Sequence, residues 1–142
     1  MGKESSSVSW KGKMAFEANI GEQKFMIDAG AAVGGEGKGP TPKPLMLTAL
    51  AGCTAMDVVS ILKKMRVELD DFKVTVDGDL TDEHPKHFIK MVVRYEFWGK
   101  GLEEVRAKIE KAVNLSEERY CGVSVVYKDV MPVESEIILY EV

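Results

Sequence analysis

The amino-acid order predicts an α+β fold with mostly antiparallel strand pairing, and three observations carry that expectation. Stretches of alternating apolar and polar residues recur at both ends and in the middle of the chain. One long apolar stretch and one amphipathic stretch have helical spacing. The elements therefore run strands, helix, strands, helix, strands, without repeat or linker, which fits antiparallel sheets better than alternating βαβ units. A single domain, residues 1–142, accommodates them all, and a chain of 142 residues buries roughly two-thirds of its unfolded surface.

Residues 8–16 and 23–28 read as the first two strands: Trp10, Met14 and Phe16 share one alternating face, Phe25 and Ile27 another, with Gly21 and Glu22 turning between them. Residues 29–41, GAAVGGEGKGPTP, favour irregular backbone. The run is not a phosphate cradle, since GGEGKG has the spacing of neither GxxxxGK[ST] nor GxGxxG. Thr41 as N-cap and Pro42 in the first turn open a helix that runs to about Arg66. Leu45, Leu47, Leu50, Met56, Val58, Val59, Ile61, Leu62 and Met65 surround most of it, which marks a helix buried on nearly all sides.

Residues 72–80 and 88–98 alternate like a hairpin joined by residues 82–86, with His84 and His87 read as solvated loop histidines. Residues 102–115 form an amphipathic helix with Val105, Ile109, Ala112 and Val113 on its apolar face. Ser116, Glu118 and Arg119 start a short helical turn that carries Cys121. Residues 123–127 and 136–142 are expected to be the closing strands.

Composition narrows the function. A net charge of -4 with acids and bases interspersed offers no basic stripe for nucleic acid. Lys3 and a serine run replace the charged and apolar start of a signal peptide. Residues 44–62 are apolar enough to resemble a membrane span, but Asp57 near the centre would cost about 2.5–3.5 kcal/mol there. A water-soluble protein of the reducing cytosol, off the membrane, is the expectation, and in that compartment two cysteines without CxxC spacing form no standing structural disulfide.

The chemistry then centres on Cys53 and Cys121. Cys53 lies in AGCTAMD, with Asp57 one helical turn later; Cys121 lies in ERYCGVS, preceded by Arg119 and Tyr120, which could position it. Residue type alone leaves two readings, a small buried hydrophobe and a nucleophile.

The segment GPTPKPLMLTALAGCTAMDVVSILKKMR followed by NLSEERYCGVSV resembles the OsmC/Ohr family of small thiol-dependent hydroperoxide reductases, and VSWKGKMAFEA, GGEGKGPTP and KVTVDGDL extend the likeness over almost the whole chain. The resemblance implies an OsmC-like α+β fold, antiparallel strands around a long buried central helix, in an intertwined homodimer with two sites at the interface. It implies Cys53 as the peroxidatic cysteine and Cys121 as the resolving one. The substrate would be an organic hydroperoxide and the reductant an external dithiol, either a lipoyl-protein or a small thiol. No metal, nucleotide or other cofactor is implied. Strongly active members carry a glutamate nine or ten residues before the first cysteine and an arginine in the N-terminal strands. Here those positions hold Pro44, Lys43, Lys11 and Lys13, and lysine supplies charge without the guanidinium fork. Lys11, Lys13 or Lys43 would then activate Cys53, with Asp57 pairing one of them or facing solvent. The alternative is an OsmC-like protein that binds a small molecule or electrophile with little peroxidase turnover.

Overall fold

A computed structural model describes all residues, 1–142, as two compact units, Met1–Met46 and Leu47–Val142. The first unit is an antiparallel three-stranded sheet of β1 (Ser6–Trp10), β2 (Phe16–Ile20) and β3 (Gln23–Ile27) in sequential order. Residues 8–16 are thus not one strand. Gly12 and Lys13 adopt positive φ, Lys11 N–H donates to the Ala15 carbonyl at 2.9 Å, and the chain turns back on itself where an unbroken strand was expected. Alternation cannot show such a reversal, because the apolar period continues across the turn.

The glycine-rich loop after β3 folds around a carboxylate. Asp28 is buried and accepts N–H bonds from Ala29 at 2.8 Å, Glu36 at 2.9 Å and Lys38 at 3.2 Å. Two glycines permit this wrap: a Cβ on Gly35 would collide with the Ala29 carbonyl, and one on Gly39 with the Met26 carbonyl. The amide of Glu36 above all, aided by those of Lys38 and Ala29, holds the Asp28 carboxyl below its usual range against the opposing effect of burial. An internal anion therefore occupies the amides that a phosphate would need, in agreement with the expectation that GGEGKG is no phosphate cradle.

The second unit begins within α1 (Leu45–Lys64), a helix that starts three residues later than Thr41 as N-cap and Pro42 as first helical residue suggested. Residues 42–46 form hydrogen-bonded turns first, with Leu45 N–H to the Pro42 carbonyl and Met46 N–H to the Lys43 carbonyl, because Pro42 and Pro44 lack donors of their own. Arg66, at φ 60°, ends the helix, and Val67 N–H closes back on the Leu62 carbonyl at 2.9 Å. Only one stripe of α1, Leu50, Thr54, Val58 and Leu62, is fully buried; Met56 is 75% exposed and Val59 48%. Within this chain the helix is therefore not buried on nearly all sides. By length and composition alone α1 could cross a membrane, with a mean hydropathy of 1.9, but its buried stripe joins a packed core.

That core rests on the sheet β4 (Asp71–Leu80), β5 (Phe88–Gly99) and β6 (Val133–Glu141), with β5 central. Met91, Val93, Tyr95 and Phe97 on one face of β5 are buried with Leu50, Val58 and Leu62 of α1 and with Ile109, Ala112 and Val113 of α2 (Arg106–Leu115). β4 is antiparallel to β5, whereas β6 is parallel to it. A parallel neighbour demands a crossover, supplied here by a 3₁₀ turn Glu103–Val105, α2, a π-helical turn Ser116–Tyr120 and α3 (Gly122–Lys128). Residues 123–127, expected as a strand, belong to α3. VSVVY has strand-forming residues, but the Cys121 cap and the crossover geometry override that local preference. His84 and His87 are exposed in the β4–β5 loop, where His87 Nδ1–H donates to the Pro85 carbonyl at 2.7 Å.

Candidate functional site

The site lies inside the second unit, where α1 meets the π-helical turn. Cys53 and Asp57 are four residues apart and so project from the same side of α1. Cys121 stands between the π-helical turn and α3: its N–H bonds to the Ser116 carbonyl at 2.7 Å, and its Sγ accepts from Ser124 N–H at 3.3 Å as the cap of α3. Single π turns recur at functional sites because the extra residue re-aims a side chain. Here the turn brings the Sγ atoms of Cys53 and Cys121 and a carboxylate oxygen of Asp57 to within 4.8 Å of one another, although 68 residues separate the cysteines in sequence.

The two thiols differ in setting. Cys53 is half-buried and Cys121 fully buried, and both are free. Burial foremost, then the hydrogen bond that its S–H donates to Cys53, pushes the Cys121 thiol up to about 11. The Ser124 and Val123 amides pull the other way and lose. Cys121 is therefore a thiol at neutral pH, held against Cys53. The Cys53, Asp57 and Cys121 side chains thus form a pair of sulfurs beside a carboxylate.

Asp57 accepts a hydrogen bond from the Ser116 hydroxyl at 2.9 Å. Asp57 also borders a cleft of about 520 Å³ whose other walls are Ser60, Ile61, Lys64, Leu115 and Tyr120. Tyr120 thus lines the same cleft as Asp57, while Arg119 is exposed in a separate depression with Glu110 and Asn114. Lys11, Lys13 and Lys43 belong to the first unit, where Lys13 pairs with Glu36 at 3.0 Å.

Sequence reasoning missed the polar groups behind Asp57. Ser116 Oγ lies 2.8 Å from Thr54 Oγ1, Thr54 Oγ1 lies 2.8 Å from the Tyr95 hydroxyl, and the Tyr95 hydroxyl lies 3.2 Å from Glu117 Oε1. Ser135 Oγ donates to Glu117 Oε2 at 3.3 Å. All four of Thr54, Tyr95, Ser116 and Glu117 are buried. One signal was available: Thr54 and Asp57 put two polar residues three apart on the same side of an apolar helix.

The family model described as OsmC-like protein matches residues 35–136, which include both cysteines and the whole buried polar group. Protein YhfA of Escherichia coli strain K12 is 37% identical over 87 residues, 61% of this chain and 63% of that protein; the match thus spans less than two-thirds of that curated relative. Among solved structures, a hypothetical protein from Aquifex aeolicus VF5 superposes with a TM-score of 0.85 at 25% identity, covering 100% of this chain and 99% of that one. The organic hydroperoxide resistance protein OhrB of Bacillus subtilis has a TM-score of 0.63 at 18% identity over 97% and 98% of the two chains, a likeness of fold. With its mixed sheets and helices, its two cysteine contexts and a family match over most of its length, the chain belongs to the OsmC-like protein family.

Proposed function

We propose that this protein is a cysteine-based peroxidase that reduces organic hydroperoxides to alcohols. The observation that carries the reading is the pair of free sulfurs within 4.8 Å, one half-buried and one fully buried and hydrogen-bonded to it. In the first step the Cys53 thiolate attacks the distal peroxide oxygen: an S–O bond forms, the O–O bond breaks, and the alkoxide leaves and takes up a proton. The Cys121 thiol then condenses with the Cys53 sulfenic acid, forming the disulfide and releasing water. An external dithiol, a lipoyl-protein or a small thiol, restores both cysteines by exchange. Family membership and the similarity to organic hydroperoxide resistance proteins support this assignment. Two free thiols fit the reducing cytoplasm, where we place the protein.

A second copy of the chain completes the proposal. Val8, Trp10, Ile20 and Phe25 of the first sheet are exposed, as are Met56 and Val59 of α1, and apolar surface of this extent marks an interface. The second reading, a binder of small molecules or electrophiles, draws on Lys43 and Pro44 standing where active relatives carry a carboxylate.

Counting free thiols after mixing with cumene or tert-butyl hydroperoxide separates the readings, beside Cys53→Ser and Cys121→Ser. The peroxidase reading expects rapid loss of both thiols in the wild type and an inert Cys53→Ser protein. Intact thiols under moderate peroxide excess would put the binding protein first.

A further inference from the structure

From half-buried Asp57 an unbroken line of oxygens runs inward through buried Ser116, Thr54, Tyr95 and Glu117, joined by contacts of 2.9, 2.8, 2.8 and 3.2 Å. The four contacts each need one proton, yet the three hydroxyls of Ser116, Thr54 and Tyr95 supply only three. If both carboxyls were ionised, one buried contact would set two lone pairs face to face, at a cost comparable to an unsatisfied polar group. A fourth proton on one end removes the conflict and fixes the direction of the whole line. Glu117 is the more enclosed end, buried between β5 and β6, while Asp57 is half-buried and borders the open cleft.

We propose that Glu117 carries this proton and that Glu117, Tyr95, Thr54 and Ser116 form a directed chain that delivers it to Asp57 beside the thiol pair. Ionised Glu117 accepts from Tyr95 across the 3.2 Å contact; with the proton on Glu117 that contact reverses, so that Glu117 Oε1–H donates to Tyr95, Tyr95 to Thr54, Thr54 to Ser116 and Ser116 to the Asp57 carboxylate, while Ser135 satisfies Glu117 Oε2. Transfer moves one proton across each contact in turn and leaves Glu117 ionised and Asp57 protonated. No bond other than O–H is made or broken, and no oxidant or reductant is needed. This inference rests on the peroxidase reading for its use: the alkoxide released when Cys53 attacks the peroxide is the group that needs a proton, and the Asp57 oxygen is within 4.8 Å of the Cys53 sulfur. Glu117 touches neither thiol nor substrate in this scheme, so it is a positioning residue that acts through Asp57.

The charges around Glu117 agree with a proton held there. Burial chiefly raises its pKa and Glu118 adds to the rise; Lys128 of α3, the Ser135 hydroxyl and, toward the ionised form only, the Tyr95 hydroxyl oppose it without reversing it. Tyr95, also raised by burial above all, stays a hydroxyl through the neutral range and can relay.

The test uses the intact protein at neutral pH and has two arms. In the first, infrared difference spectroscopy reads the carbonyl stretch of a buried protonated carboxylic acid in the wild type, in Glu117→Gln and in Asp57→Asn. A band lost in Glu117→Gln and kept in Asp57→Asn is expected. Absence of the band in the wild type, or its loss only in Asp57→Asn, overturns the proposal. Thr54→Val interrupts the line and frees the Tyr95 proton to stabilise ionised Glu117, so the band should titrate away at lower pH; an unmoved midpoint counts against a connected chain. The second arm follows Cys53 oxidation by cumene hydroperoxide in stopped flow. Glu117→Gln keeps a donor to Tyr95 but has no proton to release, and should slow oxidation about tenfold with an altered pH profile. An unchanged rate and profile would show that the chain does not serve the reaction. A wild type whose Cys53 resists peroxide would instead reject the peroxidase reading and with it the delivery step, while the infrared arm still decides where the proton sits.

Discussion

At the scale of single residues, the difference between the two thiols is the most consequential feature. Cys121 gains its high pKa from burial first and from its bond to Cys53 second. The folded state thus holds the Cys121 proton more tightly than the unfolded chain does. Its contribution to stability is fully present below the unfolded value of 9.0 and is lost as pH rises toward about 11. Thermal melts should therefore show Tm falling over that alkaline window in the wild type, and a shallower fall in Cys121→Ser; equal slopes would contradict the assignment. Labelling gives a second readout. A thiol two units less acidic than ordinary has about a hundredfold less thiolate near pH 8. Alkylation of Cys121 should be at least that much slower than alkylation of a small free thiol, and mass spectrometry after a timed quench with iodoacetamide measures the ratio. Both cysteines were legible in the sequence because each sits in a recognisable context. Glu117 and Tyr95 were not, since a buried carboxyl and a strand tyrosine show nothing in local pattern that marks them as partners.

At the scale of elements, close approach decides what the chain tolerates. Gly78 on β4 lies opposite Met91, and a Cβ there would meet the Phe88 ring at 2.6 and 2.7 Å and Leu47 Cδ2 at 2.9 Å. Phe88 is itself buried and cannot swing freely, so Gly78→Ala should destabilise by about 1–3 kcal/mol, the usual cost of overpacking. A urea midpoint unchanged from wild type would show that β4 and α1 relax around the methyl group. The glycine-rich loop poses the opposite case, an element held by one carboxylate. Asp28→Ala removes the acceptor of the Ala29, Glu36 and Lys38 amides. Hydrogen exchange at Glu36 and Lys38 should accelerate about tenfold or more, with the core amides of β5 unaffected. Because the Asp28 pKa is depressed, that order should also weaken as pH falls through its folded value. The sequence showed this loop to be irregular but not what it wraps. The misread of residues 123–127 has a similar origin: β-branched composition is local, whereas the Cys121 cap and the parallel crossover to β6 are set by parts of the chain far away.

At the scale of the whole molecule, the exposed apolar residues are what motivates the proposed second copy. β1 is exposed along its entire length, and Trp10 is 67% exposed on a sheet whose buried apolar residue is Ala18. On α1, Met56 and Val59 lie opposite the stripe that packs on the core. The sequence foretold a helix covered on nearly every side; the chain itself covers one stripe, and the proposed second copy accounts for the remainder. Strand pairing, by contrast, lay beyond sequence pattern: nothing local shows that β6 runs parallel to β5, or that Thr54 reaches Ser116 across 62 residues. If two copies bury these surfaces, light scattering coupled to size exclusion should give twice the chain mass at micromolar concentration, and Met56→Glu and Trp10→Glu should each shift it toward a single chain. A buried unpaired carboxylate is among the costliest changes an interface can suffer, so dissociation should rise by at least a hundredfold. Melting temperature should become concentration-dependent in the wild type, as mass action requires of a dimer, and lose that dependence in the variants. A wild type that runs as one chain at every concentration, with both variants equally stable, would mean that these apolar residues serve some other contact.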